Sequence, residues 1–305
     1  MNRSAIAAAV ARKFPPITRE VLKLSVQGHL PPIHRHWFFQ SLARDVFQDQ
    51  GFPMWGSSNR LYIPRDLHPV YLEYFNFLDH EPLTRSVIAS LLRPGSVFVD
   101  VGANIGYYSL LASSKVGPKG RVHSVECSPD TFLLLENNVK KNNLRNVDLY
   151  PVAASNVRGE LTLNVSAIGL SLFELHSNWS KVARSAGTVT VPAMPVDELV
   201  HSRVDVAKID AEGADLDVLK GMSRILSESQ NISIIVEWAP PLLEQSGKDP
   251  FELPRYLQNL GFQIVSVLEE PTNRRLTLAQ ASEMVRSKKL PAGWVGDLFA
   301  QRVRH

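Results

Sequence analysis

Hydrophobic and polar positions follow two alternating patterns from about residue 96 onward. Short and nearly continuous apolar segments, SVFVDV (96–101), RVHSVEC (121–127) and VDLYPVAAS (147–155), are typical of strands buried on both faces of a parallel sheet. Between them, GYYSLLASSKV and SPDTFLLLENNVKKNN (128–143) predict helices, the second with Ser128 as its N-cap. This alternation predicts an α/β fold with helices on both faces of the sheet.

The same alternation returns in the second half of the chain. Apolar segments predict strands at 205–210, 232–238, 262–269 and 294–302, and helical spacing predicts helices at 215–226 and near 250–260. Residues 156–193 interrupt this order, because GELTLNV and TVTVPAM predict extra strands on either side of an irregular piece. We interpret residues 156–193 as an insertion in the α/β domain.

The chain before residue 81 is rich in aromatic residues and proline and contains helical patches such as TREVLKLSV. We predict that residues 1–80 form a mostly helical N-terminal segment, which serves as a substrate cap or an interface. The next segment, EPLTRSVIASLL (81–92), has apolar residues at helical spacing and stops at RPG, a helix terminator. The predicted α/β domain therefore extends over residues 81–305.

Composition narrows the class of protein. Of the 305 residues, 44% are hydrophobic and 21% are charged, as in an ordinary soluble globular protein. The formal net charge of +3 and the lack of a basic run make nucleic acid an unexpected partner. A single cysteine, Cys127, excludes an intramolecular disulfide framework.

No apolar run approaches the ~20 residues that a membrane span needs. The alanine-rich start of the chain is interrupted by Arg12 and Lys13, which favours a helix over a secretory signal. We therefore predict a cytoplasmic protein without a membrane span.

A glycine-containing turn, DVGANIG, follows the first strand of the α/β domain. A dinucleotide-binding turn of the form G-x-G-x-x-G would need glycine at the positions of Asn104 and Tyr107, and no G-K-[ST] phosphate loop follows. The turn therefore suits a nucleoside without a pyrophosphate. A plainer interpretation is that Gly102 and Gly106 only allow the helix to pack closely on the strand.

The second strand ends in Glu126, roughly 20 residues past the glycines, where a carboxylate binds the ribose hydroxyls of a nucleotide. An adenosine that carries an amino acid in place of phosphates is S-adenosyl-L-methionine, and we predict it as the cofactor. The predicted cofactor-binding residues are Asp100, Gly102, Asn104, Gly106, Glu126 and Asp210.

Several motifs in order resemble the FkbM-type methyltransferases: VDVGANIGYYSLL, VECSPD, NNVKKNNLRNV, VPAMPVDEL and VAKIDAEGADLDVLKG, within residues 81–240. The resemblance implies a seven-stranded, Rossmann-like class I methyltransferase sheet that uses S-adenosyl-L-methionine. It also implies methylation of a hydroxyl on a sugar, glycan or natural product such as a polyketide. Two positions depart from the family pattern: Cys127 stands where proline is frequent, and Asp215 where glutamate is frequent.

Methyl transfer to oxygen needs an aligned nucleophile and a group that takes its proton. In KIDAEG, Asp210 closes a strand on the same face as Lys208, and Glu212 lies in the following turn. Glu237 ends the next strand, and His176 lies in the insertion. We predict Asp210, Glu212, Glu237 and His176 as catalytic candidates, although a simple Lys208–Asp210 ion pair also explains part of the pattern.

Other functions stay open at this point. Asp210 and Glu237 could share a divalent ion, but no third oxygen ligand accompanies them, so we predict no metal-binding residues and leave metal dependence open. N-methylation of a small molecule or peptide is one alternative, although DAEG replaces the [ND]-P-P-[YFW] motif typical of nucleic-acid amine methylation. A non-catalytic cofactor-binding subunit is another. The acceptor, the general base and the oligomeric state, including a homodimer, are left undetermined.

Overall fold

A computed structural model describes residues 51–64, 80–166, 185–291 and 294–302. The strands are β1 (Phe52–Pro53), β2 (Arg60–Leu61), β3 (Val97–Val101), β4 (Arg121–Val125), β5 (Val147–Tyr150), β6 (Ala153–Ala154), β7 (Gly159–Ser166), β8 (Ser185–Met194), β9 (Val206–Ile209), β10 (Ser233–Trp238), β11 (Phe262–Glu269), β12 (Arg274–Leu276) and β13 (Gly296–Arg302). The helices are α1 (Pro82–Leu91), α2 (Tyr107–Val116), α3 (Pro129–Lys141), α4 (Val196–Leu199), α5 (Asp215–Lys220), α6 (Ser223–Glu228), α7 (Pro240–Gln245), α8 (Glu252–Asn259) and α9 (Leu278–Arg286).

The main sheet has eight strands in the order β12-β11-β13-β10-β9-β3-β4-β5. Strands β5, β4, β3, β9 and β10 are parallel to one another, and β13 runs antiparallel between β10 and β11. The predicted α/β sheet of seven strands is confirmed, with the short edge strand β12 as an addition. This order places the reversal between β3 and β9, and ligands bind at such a point in open α/β sheets.

The central strands bury side chains on both faces, which explains their continuous apolar runs. Phe98 and Phe299 belong to a core cluster that includes side chains of α1 and α2. The alternate residues Val99 and Leu298 belong to a second cluster that includes side chains of α5, α6 and α8. A sheet covered on both faces in this way exposes only its strand ends to a ligand.

Two helix boundaries follow from local capping. Ser128 Oγ accepts a hydrogen bond from Thr131 N, so Ser128 is the N-cap of α3 as predicted. The helix predicted over 215–226 is instead divided into α5 and α6. The Asp197 carboxylate accepts hydrogen bonds from the backbone N–H groups of Arg224 (2.7 Å) and Ile225 (2.9 Å), which caps the start of α6.

The predicted extra strands of the insertion are confirmed. Strands β7 and β8 form an antiparallel pair, and β6 joins β8 to complete a separate three-stranded sheet. The single strand predicted over 147–155 is therefore two strands in two sheets. The break falls at Pro151, which has no N–H for the strand ladder.

Several elements had no counterpart in the predictions: α7, β12, α9 and the short β1–β2 pair. Residues 51–64 fall in the segment predicted to be mostly helical, yet they contribute the antiparallel β1 and β2. Phe52 and Leu61 are buried in the same core cluster as Leu110 and Leu111 of α2. No described helix has the length and apolar character that a membrane crossing requires.

Candidate active site

The turn after β3 lies directly against the end of β9. Gly102 adopts a φ of +73°, and a Cβ atom in its place would lie 1.9 Å from the carbonyl oxygen of Asp210. The backbone N–H groups of Gly102 and Ala103 both donate to the carbonyl of Val125, each at 3.0 Å. Only glycine permits this approach of two backbones, and the turn is thereby fixed between β4 and β9.

Glu126, directly after β4, supports the same turn. Its Oε2 accepts a hydrogen bond from Asn104 N and its Oε1 accepts one from Ser128 N, both at 2.8 Å. The side chain is 6% exposed, and burial raises its pKa to about 7 although these hydrogen bonds act in the opposite direction. A carboxylate has about four acceptor positions, so Glu126 can still accept hydrogen bonds from two hydroxyl groups.

A cavity with an empty volume of about 780 Å³, including its open mouth, lies between these elements. Polar groups of Asn104, Glu126, Asp210 and Glu212 lie at its edges. The remaining wall is mainly apolar and comes from the main sheet and the three-stranded sheet: Val101, Val125, Val152, Ala153, Ala154, Leu161 and Leu163. The insertion thus supplies one wall of the cavity.

Cys127 lines the same cavity beside Glu126. Burial raises the pKa of its thiol far above the ordinary value, and the Glu126 carboxylate acts in the same direction. The thiol is therefore protonated and unreactive at neutral pH. Its contribution to the cavity is an apolar surface.

Two predicted cofactor-binding residues do not line the cavity. Asp100 is fully buried and accepts a hydrogen bond from Ser109 Oγ at 2.5 Å, which fastens α2 to β3. Burial raises its pKa to about 6. Gly106 has a φ of +95°, and a Cβ atom there would lie 2.7 Å from Leu135 Cδ1. In this structure Asp100 and Gly106 support the packing of the turn, which agrees with the plainer interpretation for Gly106.

Asp210 stands at the junction between β9 and the cavity. Lys208 Nζ lies 2.8 Å from Asp210 Oδ2, with the lysine side chain 3% exposed and the aspartate 21%. Burial opposes the charge on Lys208, but Asp210, Glu81 and Asp297 raise its pKa well above the ordinary value. The predicted ion pair is therefore present, and Asp210 lines the cavity as well.

The turn after Asp210 is held by Asp215. The carboxylate of Asp215 accepts hydrogen bonds from Ala211 N (2.8 Å) and Gly213 N (3.1 Å). Glu212 adopts a left-handed φ of +49°, an uncommon conformation for a residue with a side chain. Burial raises the pKa of Glu212 to about 8, and the Asp210 and Asp215 carboxylates contribute in the same direction.

A row of acids continues along the same face of the sheet. Ile235 is the register partner of Lys208, so Glu237 lies on the same face as Asp210. Glu237 is in turn the register partner of Asp297 on β13. Burial raises the pKa of Glu237 well above the ordinary value and that of Asp297 to about 8, so both carboxyls favour the protonated form near neutral pH.

The Glu237 side chain forms no hydrogen bond or ion pair with another residue in the described part of the chain. Asp297, by contrast, accepts a hydrogen bond from Thr84 Oγ1 of α1. Helix α1 also begins beside Glu81, whose Oε2 accepts a hydrogen bond from Tyr108 OH at 2.6 Å. Contacts from α1 and α2 therefore cover Asp297 and Glu81, whereas Glu212 lines the cavity and Glu237 is half-buried.

The predicted residues Asp210, Glu212 and Glu237 are thus brought together, whereas His176 lies outside the described residues. Four residues in the same region were not predicted from the sequence: His80, Glu81, Tyr108 and Asp297. The one available signal was the acidic Glu81 at a helix start. Within the described ranges, no group of three or more His, Cys, Asp or Glu side chains is suited to hold a metal ion.

Comparisons with known proteins agree with this geometry. A family model described as the methyltransferase FkbM domain matches residues 100–264. The hexuronic acid methyltransferase AglP of Haloferax volcanii is 31% identical over 165 residues, which cover 53% of this chain and 61% of that protein. A probable cobalt-precorrin-6B C(15)-methyltransferase of Sulfolobus acidocaldarius is 31% identical over 153 residues, covering 46% of this chain and 80% of that protein.

Among solved structures, the methyltransferase FkbM of Methylobacillus flagellatus is 16% identical, with a TM-score of 0.44 over 77% of this chain and 54% of that one. The alignment with the archaeal AglP spans only about three fifths of the length of AglP.

The strand order and the glycine turn define the α/β domain as a class I methyltransferase domain that uses S-adenosyl-L-methionine. More specifically, the chain belongs to the FkbM methyltransferase family, because the family model covers more than half of its residues. The residues around the cavity fit the cofactor: an apolar wall suits adenine, Glu126 retains acceptor positions for ribose hydroxyls, and Asp210 is an anion for the ammonium group.

Proposed function

We propose that this chain transfers a methyl group from S-adenosyl-L-methionine to a hydroxyl oxygen of a sugar, glycan or related natural product. One observation carries the proposal. Glu126, Asp210 and Glu212 line the cavity, and the Glu237 side chain, which has no partner among the described residues, lies beside Asp210 on the next strand. This arrangement supplies acceptors for the hydroxyls of the cofactor and, close to them, carboxyls that can hold an acceptor hydroxyl.

Each cofactor-binding role follows from a contact already described. Gly102 and Asn104 supply the backbone of the turn, and Glu126 accepts hydrogen bonds from the ribose hydroxyls. Asp210 attracts the ammonium group, and the bound cofactor supplies a methyl group on positively charged sulfur. Asp100 and Gly106 act indirectly, since they hold α2 against β3 and α3.

The carboxyl groups of Glu212 and Glu237 suit an acceptor with several hydroxyl groups. Glu237 and Glu212 are protonated for part of the population near neutral pH because burial raises their pKa values. A protonated carboxyl donates one hydrogen bond and accepts others, so these two residues can orient a hydroxyl from either side. Such alignment of two reactants lowers the barrier by several kcal/mol.

The name of the AglP relative supports an acidic sugar as the first acceptor to test. The experiment uses cofactor with a deuterated methyl group and three acceptors: p-nitrophenyl β-D-glucuronide, p-nitrophenyl β-D-glucoside and the corresponding 2-amino-2-deoxyglucoside. Products are separated by chromatography and analysed by mass spectrometry. We expect a labelled product from a glycoside, which resists mild alkali because the new bond is an ether.

Other products would contradict the proposal. A label on the amino group alone would indicate N-methylation, and a label removed by mild alkali would indicate a methyl ester on the carboxylate. Saturable cofactor binding without transfer to any acceptor would favour a non-catalytic binding subunit. The variant Asp210→Asn is the negative control, because it removes the carboxylate at the junction of both regions.

A further inference from the structure

His80 lies immediately before α1 and is fixed by aromatic neighbours. Its ring is edge-on to Tyr107, with centroids 5.3 Å apart, and tilted against Tyr108 at 6.1 Å. Its Nε2 lies 3.4 Å from Glu81 Oε1, and the side chain is 12% exposed. The imidazole is therefore held in one orientation beside a carboxylate, with a small part of its surface accessible.

The side chain and the backbone of Glu81 are also fixed by their surroundings. Tyr108 OH donates a hydrogen bond to its Oε2, and its backbone has a left-handed φ of +38°. Three described residues with a side chain and a left-handed backbone surround the site: Glu81, Asn104 and Glu212. Such conformations are strained for residues with a side chain, so the surrounding contacts must fix them, and they are frequent at functional sites.

A chain of contacts joins this pair to the strand end. Tyr108 holds Glu81, and Lys208 Nζ lies 5.0 Å from the centre of the Tyr108 ring. Lys208 in turn pairs with Asp210, which lines the cavity. The His80–Glu81 pair is therefore close enough to Lys208 and Asp210 for their charges to act on His80.

We propose that His80 is the general base that takes the proton of the acceptor hydroxyl, with Glu81 as the residue that orients the imidazole. This inference rests on the proposed function. In the reaction, a bond forms between the acceptor oxygen and the methyl carbon, and the carbon–sulfur bond breaks with its electron pair going to sulfur. The hydroxyl proton passes to the imidazole of His80, and the Glu81 carboxylate stabilises the resulting cation.

The charges around His80 agree with this role. Burial lowers the pKa of His80 below 6.5, so the imidazole is neutral and can accept a proton at pH 7. Burial opposes ionisation of Glu81, yet His80, Lys208 and the hydrogen bond from Tyr108 bring its pKa below the ordinary value. The charged groups that face His80 are Glu81, Lys208, Asp210 and Arg85.

The nearby carboxyls are less suited to accept the proton. Burial raises the pKa of Glu237 well above its ordinary value and that of Glu212 to about 8. A carboxyl that already holds a proton acts as a hydrogen-bond donor. In the proposed reaction, Glu237 and Glu212 therefore orient the acceptor, and His80 removes its proton.

The test compares His80→Gln with His123→Gln. His123 is a matched control because it is also buried beside a tyrosine and a carboxylate, with Nδ1 3.0 Å from Tyr150 OH and 3.5 Å from Asp148 Oδ2. The charged groups that act on it are Asp148 and Arg121, whereas Lys208 and Asp210 act on His80. Turnover is measured with p-nitrophenyl β-D-glucuronide, and cofactor affinity by calorimetry. We expect kcat to fall about 10²- to 10⁴-fold in His80→Gln with cofactor Kd unchanged, and to stay unchanged in His123→Gln.

Two further measurements separate catalysis from a structural role. Imidazole in the buffer should restore part of the activity of His80→Gly. Glu81→Gln should lower kcat about tenfold and move the acid limb of the pH–rate profile, while KM stays the same. A kcat for His80→Gln within threefold of the native value would overturn the inference.

The inference also has a test that needs no acceptor. In protein labelled with ¹³C-histidine, the His80 resonance is assigned as the one lost in His80→Gln and is titrated with and without S-adenosyl-L-methionine. We expect a neutral ring at pH 7 that shifts when the cofactor is added, and a His123 signal that does not shift. A charged His80 ring at pH 7 would refute its role as the base, whether or not a glycoside is methylated. Failure to methylate any of the glycosides, with a neutral His80 ring, would count against the proposed function alone.

Discussion

Replacing Glu126 by glutamine tests how the cofactor cavity binds ribose. The native carboxylate accepts hydrogen bonds from the backbone N–H groups of Asn104 and Ser128, one at each oxygen. Glutamine keeps the size of the side chain but has a single acceptor oxygen, so its amide group must face one of these N–H donors. It also loses the negative charge and an acceptor position for a ribose hydroxyl.

The magnitude follows from the lost hydrogen bonds. A hydrogen bond to a charged group contributes about 1.5–3 kcal/mol. At about 1.4 kcal/mol for each tenfold change in Kd, losing the ribose contact and mispairing one N–H weakens binding by about 10- to 100-fold. Glu126→Ala should weaken it at least as much, since both N–H groups then lose their acceptor.

The same substitution changes the pH dependence of binding. Burial raises the pKa of Glu126 to about 7 in the folded protein, above its unfolded value. The folded state therefore binds this proton more tightly than the unfolded state. Protonation of Glu126 stabilises the fold fully below the unfolded pKa, and this stabilisation is lost as the pH rises through 7. Cofactor binding to the ionised form has the opposite trend, so native affinity should increase from pH 6 to pH 8, and Glu126→Gln should lose this part of the increase.

Titration calorimetry with S-adenosyl-L-methionine, S-adenosylhomocysteine and NAD at pH 6, 7 and 8 measures both effects. Glu228→Gln is the control, because Glu228 is an exposed residue of α6 that pairs with Arg224. An unchanged affinity of Glu126→Gln at pH 8, or binding of NAD in preference to both adenosyl compounds, would refute the reasoning.

Three further substitutions test other parts of the structure by thermal and denaturant unfolding. Gly102→Ala should destabilise the protein by about 2–4 kcal/mol because its Cβ would overlap the Asp210 carbonyl. Gly213 also has a positive φ but lies in open space, so Gly213→Ala should destabilise the protein by only about 1 kcal/mol. Equal losses of stability would contradict the role of the close approach at Gly102. Lys208→Met should cost about 3 kcal/mol since it leaves Asp210 without its buried partner, and a change below 1 kcal/mol would indicate that the pair is not formed. Thr277→Ala should cost about 1 kcal/mol by removing the capping box of α9, and cofactor Kd should not change.

The elements that the sequence predicted correctly carry their signal locally. Strand β3, its glycine turn and α2 follow one another along the chain, and each central strand is an apolar run because both of its faces are covered. The capping box Thr277–Gln280 was also visible in the sequence, so α9 could have been predicted.

The grouping of Glu237, Asp297 and Glu81 could not be predicted from the sequence, because it depends on the register between strands that are distant along the chain. Asp297 meets Glu237 only because β13 inserts antiparallel beside β10, and no pattern near Asp297 indicates that pairing. His80 and Glu81 lie beside Tyr108 because α1 packs in the same core cluster as α2. The sequence likewise could not separate the two glycines, since Gly102 faces the Asp210 carbonyl and Gly106 faces the Leu135 side chain.

Asp210 has a different standing from the other candidate residues, because it belongs to both halves of the site. Its carbonyl lies against the Gly102 turn, its carboxylate pairs with Lys208, and it lines the cavity beside Glu212. A substitution there alters the fold, cofactor binding and catalysis together, so loss of activity in an Asp210 variant cannot identify its role. Glu126 supports the turn after β3, whereas His80 contacts the tyrosines at the start of α2, so variants at these two positions should separate cofactor affinity from kcat.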